Sequence, residues 1–317
     1  MNMEILKLKF LGSMVGTAVG DALGMPVEGL TVEQIKFRFG KVKDMFSGRL
    51  PAGFYTDDTE MMIGVAESLI ENKGFNGENM AKKFIQNLNP LRGYGWGPLQ
   101  VLNWIKEGLA WDEAGKKLYG GEGSYGNGGA MRIAPVGLFY YDNPEKLRLI
   151  AYNTTKITHT HKLGLEGAII QAYAVALAVN LNPEKSFDPK NFLQKIYDFT
   201  QDRIYREKIK LVKLLLEKDA DISEVVLKLG NGIEAFNSVP TAIYSFLLNY
   251  GSFEDSVVYA VNLGGDTDTL GAMTGAIAGA YHGIKKIPKR WLDKLENKDY
   301  IKSLAEKLWM IKCQFQK

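Results

Sequence analysis

Glycine returns every fourth residue in two places along this 317-residue chain: Gly12, Gly16, Gly20 and Gly24, then Gly271, Gly275, Gly279 and Gly283. On an α-helix, residues four apart share a face. Each series is therefore a bare stripe along which another helix backbone can approach closely. In a membrane such a stripe serves helix pairing. Here the flanking charges and the short length favour tight packing in a protein core. The expectation is two rigid helices that carry, or adjoin, the acidic motifs described below.

The remaining pattern is helical too. Period-two alternation is nearly absent, and no stretch pairs a strand with a hairpin signal. Thr31 and Gln34 form a capping box ahead of residues 35–39. Pro98 is expected at the first position of a helix over 99–108, and Asn143-Pro144 opens another over 145–152. Residues 163–179 form a long, alanine-rich apolar helix, buried on most sides. Residues 192–229 read as two or three amphipathic helices that stop at Gly230. Pro240 is expected to start a further helix, Ser252 to cap one over 253–262, and residues 299–315 to form a surface helix. The fold class is all-α: a compact bundle of a dozen or more helices. Residues 180–190 (NLNPEKSFDPK) are the best linker candidate. Acidic motifs lie on both sides of them, so they are read as a loop inside one domain spanning residues 1–317.

Composition excludes several functions. With 46% hydrophobic and 24% charged residues the chain is not of the disordered class. A net charge of +3 is too small to indicate a nucleic-acid or membrane-surface protein. The single cysteine, Cys313, excludes an internal disulfide framework and a multi-cysteine zinc site. No run reaches the roughly 18 apolar residues of a membrane span. Lys7 and Lys9 ahead of residues 10–19 loosely mimic a signal peptide, but Gly12, Ser13, Gly16 and Thr17 dilute the apolar run. The expected location is the cytoplasm. Lysine outnumbers arginine 31 to 8, which fits either a heat-adapted source or genome composition.

Two acidic motifs join loops to helix starts: Thr56-Asp57-Asp58-Thr59, and Gly264-Gly265-Asp266-Thr267-Asp268-Thr269. Either alone reads as a helix cap. A cap needs one carboxylate, however, and each motif supplies two. In an extended segment the spacing of Asp266 and Asp268 puts both on one side, and Gly264 and Gly265 allow such a path. If the motifs meet, four carboxylates share a site. Two unit charges about 4 Å apart repel by roughly 4 kcal/mol at an effective dielectric of 20, so the site needs protons or cations. Oxygen ligands from Asp and Thr select a hard ion such as Mg²⁺, Mn²⁺ or Ca²⁺ over zinc. Four carboxylates can hold two such ions, a known catalytic arrangement.

Other groups are weaker signals. The Gly123-Ser124-Tyr125-Gly126-Asn127-Gly128-Gly129-Ala130-Met131-Arg132 segment is either a tight turn or an anion cradle. It is neither a P-loop nor a dinucleotide fingerprint. Thr158-His159-Thr160-His161 lacks a third nitrogen or sulfur ligand, so a ligand hydrogen bond or a helix cap is preferred to a metal pair. Asp21 is expected to bond backbone. Glu28 sits in a loop, where surface charge and catalysis are both open readings. Trp96, Tyr119 and Tyr125 either pack in the core or stack on a base or ribose.

Together GDALGMPVE, YTDDTEM, RGYG, GSYGNGGAMR, THTHKLG and NLGGDTDTLGAMTGAIAGAYHG resemble the ADP-ribosylglycohydrolase family, over residues 12–284. The resemblance implies an all-α domain with two divalent cations, Mg²⁺ or Mn²⁺. By motif it assigns Thr56, Asp57, Asp58, Asp266, Asp268 and Thr269 to the metals. Glu28 matches a flexible-loop glutamate that is a candidate acid/base beside Asp57 and Asp58. Gly123, Ser124, Tyr125 and Asn127 match a loop that holds ADP-ribose, and His159 a histidine lining the ligand; His161 carries no role over. The implied partner is an ADP-ribosylated protein or another ADP-ribosyl substrate. The loop looks closer to members that cleave serine-linked or polymeric ADP-ribose than to arginine-specific ones. Some members place an aspartate in this loop; here the nearest acid is Glu122. The rival readings are a hydrolase of another nucleoside-like glycosidic or phosphate bond, and a catalytically silent ADP-ribose-binding protein.

Overall fold

The two glycine stripes face each other. In the computed structural model, which describes residues 2–182 and 185–314, the helices Met3–Gly24 and Thr267–His282 run antiparallel in the centre of the molecule. Gly16 lies against Gly275, Gly20 against Gly271, and Gly12 against Gly279. A Cβ added to Gly20 would sit 1.9 Å from the Gly271 carbonyl oxygen, and one on Gly275 2.1 Å from that of Gly16. No side chain larger than hydrogen fits at these positions. The contact is also pinned by polar groups. Ser13 Oγ donates to Ala276 O at 2.9 Å, and Thr267 Oγ1 to Gly24 O at 2.9 Å.

Around this pair the described residues form seventeen α-helices and four short 3₁₀ turns. They contain no strand; their one β-type pairing is an isolated bridge between Gly126 and Glu234. The helices Lys162–Asn180, Ala235–Leu248, Phe253–Val261 and Lys298–Gln314 flank the central pair. One apolar cluster runs from Leu6 to Leu308 and takes residues from nearly every helix. The all-α bundle read from the sequence is the fold observed.

Local signals hold where a polar side chain caps its own helix. Thr31 and Gln34 complete their capping box, and Asn143 and Ser252 cap theirs. Residues 192–229 fall within three helices, Pro189–Phe199, Arg203–Glu217 and Ile222–Leu229, with Gly230 at φ 89° as the stop. Of the 180–190 connection, Pro183 and Glu184 lie outside the described residues.

Two expectations about helix starts are corrected. Pro98 is the third residue of Trp96–Lys106, not the first; proline is tolerated throughout a first turn, whose N–H groups have no intrahelical partner. Pro240 lies inside Ala235–Leu248. That helix starts earlier because Ala235 N–H is held by Tyr125 O at 3.0 Å, a tertiary bond with no local signature. The expectation about apolar runs is not overturned, although Met3–Val27 and Lys162–Asn180 reach the length and mean hydropathy of a membrane span. Protein covers 94% and 83% of their apolar windows, so both serve as core helices here.

The C-terminal helix, Lys298–Gln314, is only half a surface helix. It buries Ile301, Leu304, Ala305 and Leu308 against Met3–Gly24 and Asp57–Asn72; Phe315 lies outside the described residues. Lys9 is fully buried, and its Nζ donates to the carbonyls of Ala178 and Val179, each at 3.0 Å, and of Leu181. An ammonium has three donors and no acceptor. All three therefore end on carbonyls at the C-terminus of Lys162–Asn180, the third being that of its C-cap residue Leu181, at the negative end of the dipole.

Candidate functional site

Each acidic motif opens a helix, and in neither does an aspartate supply the N-cap side-chain bond. Asp57–Asn72 is capped by Thr56, whose hydroxyl accepts from Asp58 N–H at 3.3 Å. Asp57 and Asp58 are thus free of capping duty. Asp266 is the N-cap residue of Thr267–His282, yet its side chain makes no cap bond. Instead its carboxylate accepts from Asn127 Nδ2 at 2.5 Å. The segment is not extended as the spacing suggested. Asp268 is the second helical residue, and its Oδ1 accepts from Thr269 N–H at 2.9 Å.

The backbone is arranged to bring these groups together. Gly264 and Gly265 take φ of 69° and 71°, and a Cβ on Gly265 would meet Asn231 O at 2.2 Å. Gly265 N–H donates to Leu30 O at 2.9 Å, and Gly29 N–H to Gly265 O at 2.8 Å. The loop after Glu28 is thereby fastened to the second motif. Asp21 fastens the first. Buried on the central helix, it accepts from Thr56 N–H at 3.0 Å, Thr59 N–H at 3.1 Å and Thr59 Oγ1 at 2.6 Å. Its expected backbone-bonding role is what the structure shows.

The motifs meet in one cleft of about 320 Å³. Glu28, Asp57, Asp58, Asp266, Asp268 and Thr269 line one part of it, and Ser124, Asn127 and His159 another. Thr56, Gly123 and Tyr125, also singled out from the sequence, are not among its lining residues. Thr56 is buried beneath it; Tyr125 is about half exposed and packs edge-on to His161. His161 itself caps Lys162–Asn180, its Nδ1 accepting from Leu163 N–H at 3.2 Å. Trp96 and Tyr119 line the rim with ring centroids 6.2 Å apart. At 63% and 58% exposed they are not core residues.

The electrostatics are those of crowded carboxylates. Burial first, and then the charges of Asp268 and Asp21, push Asp57 up to about 8. Burial and Asp268 push Asp21 up to about 7. Asp58 and Asp266 are held well above the ordinary carboxylate range by burial and by the other aspartates. Asp58 Oδ2 is buried without a hydrogen-bond partner. Glu28, Asp266 and Asp268 each place an oxygen within 4.8 Å of the others. An orphaned carboxylate oxygen in an all-oxygen acidic cluster suits a hard divalent cation.

Several lining residues were given no site role from the sequence, although Gly93, Gly95 and Met131 lie in the motifs that carry the resemblance. Arg49 pairs with Glu28, and its Nη2 lies 3.4 Å from Asp268 Oδ2. It is a lone arginine in a loop, with no pattern to mark it. Gly93, Gly95, Gly97 and Pro98 form one wall. That wall is held to the first acidic helix by Tyr94 OH, which donates to Glu60 Oε1 at 2.9 Å. Met131 and the exposed Ile233 also reach the cleft.

Comparison with known proteins agrees with this geometry. The ADP-ribosylglycohydrolase family model matches residues 2–314. An uncharacterized protein of Archaeoglobus fulgidus is 37% identical, over 98% of both chains. ADP-ribosylhydrolase ARH3 of Bos taurus is 34% identical, over 98% of this chain and 93% of that one. A solved structure titled ADP-ribosylglycohydrolase-related protein complex superposes with a TM-score of 0.78 at 29% identity, covering 98% of this chain and 99% of that one. An all-α bundle built on paired glycine stripes, two acidic helix starts in one cleft and similarity along the whole chain lead to one assignment: the chain belongs to the ADP-ribosylglycohydrolase family and is a hydrolase of that type.

Proposed function

We propose that this protein hydrolyses the glycosidic bond between ADP-ribose and an acceptor, a protein side chain or an ADP-ribose polymer, at a centre of two divalent cations. One observation carries the reading. Four aspartates from two helix starts turn into one cleft while other groups cap, or leave uncapped, the helices that bear them. A structural role needs no such convergence. The acidic donor set fits Mg²⁺ or Mn²⁺. Thr56, Asp57 and Asp58 would hold one side of the centre, and Asp266, Asp268 and Thr269 the other. When bound, the cations supply Lewis-acid stabilisation and lower the pKa of a water.

The chain's own groups do the rest. Ser124, Asn127 and His159, which line the cleft with the acids, bind and orient the ligand; Gly123 and Tyr125 shape the loop that presents them. Trp96 and Tyr119 offer aromatic faces at the rim. Asn127 holds Asp266 in place, and Asp21 holds Asp57 and Asp58 through the Thr56 and Thr59 amides. Glycosidic cleavage passes through an oxocarbenium-like state and needs a proton carrier. Glu28, exposed on its loop and paired there with Arg49, takes that role. Its closeness to Asp266 and Asp268 favours a second reading, in which Glu28 is itself a cation ligand. Glu28→Gln separates the two: lost turnover with cation affinity intact marks the proton carrier, and lost affinity marks the ligand.

The test is release of free ADP-ribose, by mass spectrometry, from serine-linked, arginine-linked and polymeric substrates with Mg²⁺ and then with excess chelator. Chelator-sensitive release from one of them is expected. Asp57→Asn combined with Asp268→Asn is expected to abolish it at unchanged helix content; near-normal turnover in that variant overturns the two-cation centre. ADP-ribose binding without release from any substrate would instead mark a binding protein.

A further inference from the structure

Among the described residues Arg132 is the most deeply buried cation, and no carboxylate of theirs pairs with it. It is fully buried, with its guanidinium carbon 4.7 Å from the centre of the Phe84 ring and Nη1 3.3 Å from Met61 Sδ. Its Nη2 donates to Thr158 Oγ1 at 2.8 Å and to Thr154 O at 3.3 Å. Thr158 Oγ1 in turn lies 2.7 Å from His159 Nδ1. Thr158 is fully buried, and His159 nearly so, at the wall of the acidic cleft.

The direction of these bonds follows from the donor inventory. A guanidinium only donates, so Thr158 Oγ1 accepts from Arg132. The hydroxyl keeps one proton. Among the described residues His159 Nδ1 is the acceptor within its reach. If Nδ1 carried a proton instead, the hydroxyl proton would be buried with nowhere to go, a penalty worth roughly a ten- to hundredfold preference. Nδ1 is therefore the acceptor, and the ring proton of neutral His159 lies on Nε2.

The edge bearing Nε2 lies beside Gly126 and Gly128, in a ring that lines the cleft. A Cβ on Gly128 would lie 2.9 Å from Nε2, and one on Gly126 3.3 Å. Two glycines of the GSYGNGG loop are thus the space in which the ring sits. We propose that Arg132 and Thr158 are positioning residues that lock His159 as an Nε2–H donor, aimed at an acceptor oxygen of the bound ligand such as a phosphoryl or ribose oxygen. With Nδ1 engaged and Nε2 protonated, the ring has no lone pair for a metal, so His159 stands outside the cation centre. Burial, reinforced by the nearby Arg132 charge, pushes His159 down to about 3, which keeps this donor uncharged across the neutral range.

The tautomer is independent of what the ligand is; its use in binding rests on the function proposed above. The full-length protein labelled with ¹⁵N-histidine has only three rings, His159, His161 and His282, and His159→Gln assigns one of them. Two-bond ¹H–¹⁵N correlation is expected to show the Nε2–H form at His159, unchanged from about pH 5 to 9. Thr158→Val removes the hydroxyl and is expected to mix the tautomers and weaken ADP-ribose binding about tenfold. Thr158→Ser restores both. An Nδ1–H or doubly protonated ring in the unmodified protein overturns the relay, whether or not Thr158→Val folds. So does a Thr158→Val protein with the tautomer unchanged. A changed tautomer with unchanged ADP-ribose affinity overturns the role in binding. The Nε2–H form in a protein that binds no ADP-ribose supports the relay and overturns the functional reading.

Discussion

Replacing Gly275 with alanine tests the architecture where it is tightest. The new Cβ would start 2.1 Å from the Gly16 carbonyl oxygen, against about 3.3 Å for a close carbon–oxygen contact. The two central helices must therefore part by about 1 Å, which forfeits roughly a quarter to a half of each dispersion contact along the stripe. Backbone cannot swing aside as a side chain does, so the cost lies at or above the usual overpacking range of about 1–3 kcal/mol. Alanine returns about 1 kcal/mol of helix propensity. With a cost near or above the top of that range, the expected net loss is about 2 kcal/mol or more, or roughly 3 °C or more in Tm for a chain of this size. The sign carries the test, because in an unpacked helix the same change stabilises. Thermal unfolding followed by circular dichroism measures it. Gly251→Ala is the control: nothing lies within 4 Å of its Cβ position, and the expected change is within about 0.5 kcal/mol. A Gly275→Ala protein as stable as its parent, or more so, would refute the close-packing argument.

Three further outcomes follow from the site and its supports. The carboxyls of Asp21, Asp57, Asp58 and Asp266 are raised in the fold, so the metal-free folded chain keeps protons that the unfolded chain loses above about pH 4. That stability is complete below about pH 4 and is lost as pH rises through about 8. Tm in chelator should therefore fall across this window, and saturating Mn²⁺ should flatten the fall; a Tm that rises instead contradicts the crowded-carboxylate account. Arg49→Gln removes a tethered cation from Glu28 and Asp268. Calorimetric titration should show severalfold tighter Mn²⁺ binding, and weaker binding would mean that Arg49 supports the centre. Lys9→Met takes this donor from three carbonyls, of which Ala178 O keeps the Leu181 N–H, and should cost about 2 kcal/mol or more in urea unfolding; equal stability would show that water reaches them.

Much of this was legible because the signals are local. Capping boxes, the Gly230 stop and the spacing of the acidic pairs all lie within a few residues. So do the glycine stripes, although nothing in either one states that its partner is the other, because pairing across the chain leaves no periodic trace. The same holds for Pro240, whose helix starts where Tyr125 O holds Ala235 N–H. Arg49 reaches Glu28 and Asp268 from loops and helix starts far apart in sequence, and isolated arginines are common on surfaces. The capping reading of the aspartates was open from the residues alone. It closed when Thr56 proved to cap the first helix and Asp266 to turn away from the second.

The central pairing joins the ends of the chain, and this has a consequence for biosynthesis. Thr267 follows Gly24 by 243 residues. At about 5–20 residues per second, roughly 10–50 s separate the two on the ribosome. Throughout that interval the first helix exists without the surface that covers it, and its hydropathy is that of a membrane span. Contacts this distant also form slowly once both partners exist. The cleft, with one acidic motif on each side of this gap, is among the last features to assemble. Chaperones and membrane-targeting factors that sample emerging apolar segments would meet the N-terminal helix well before its own partner does.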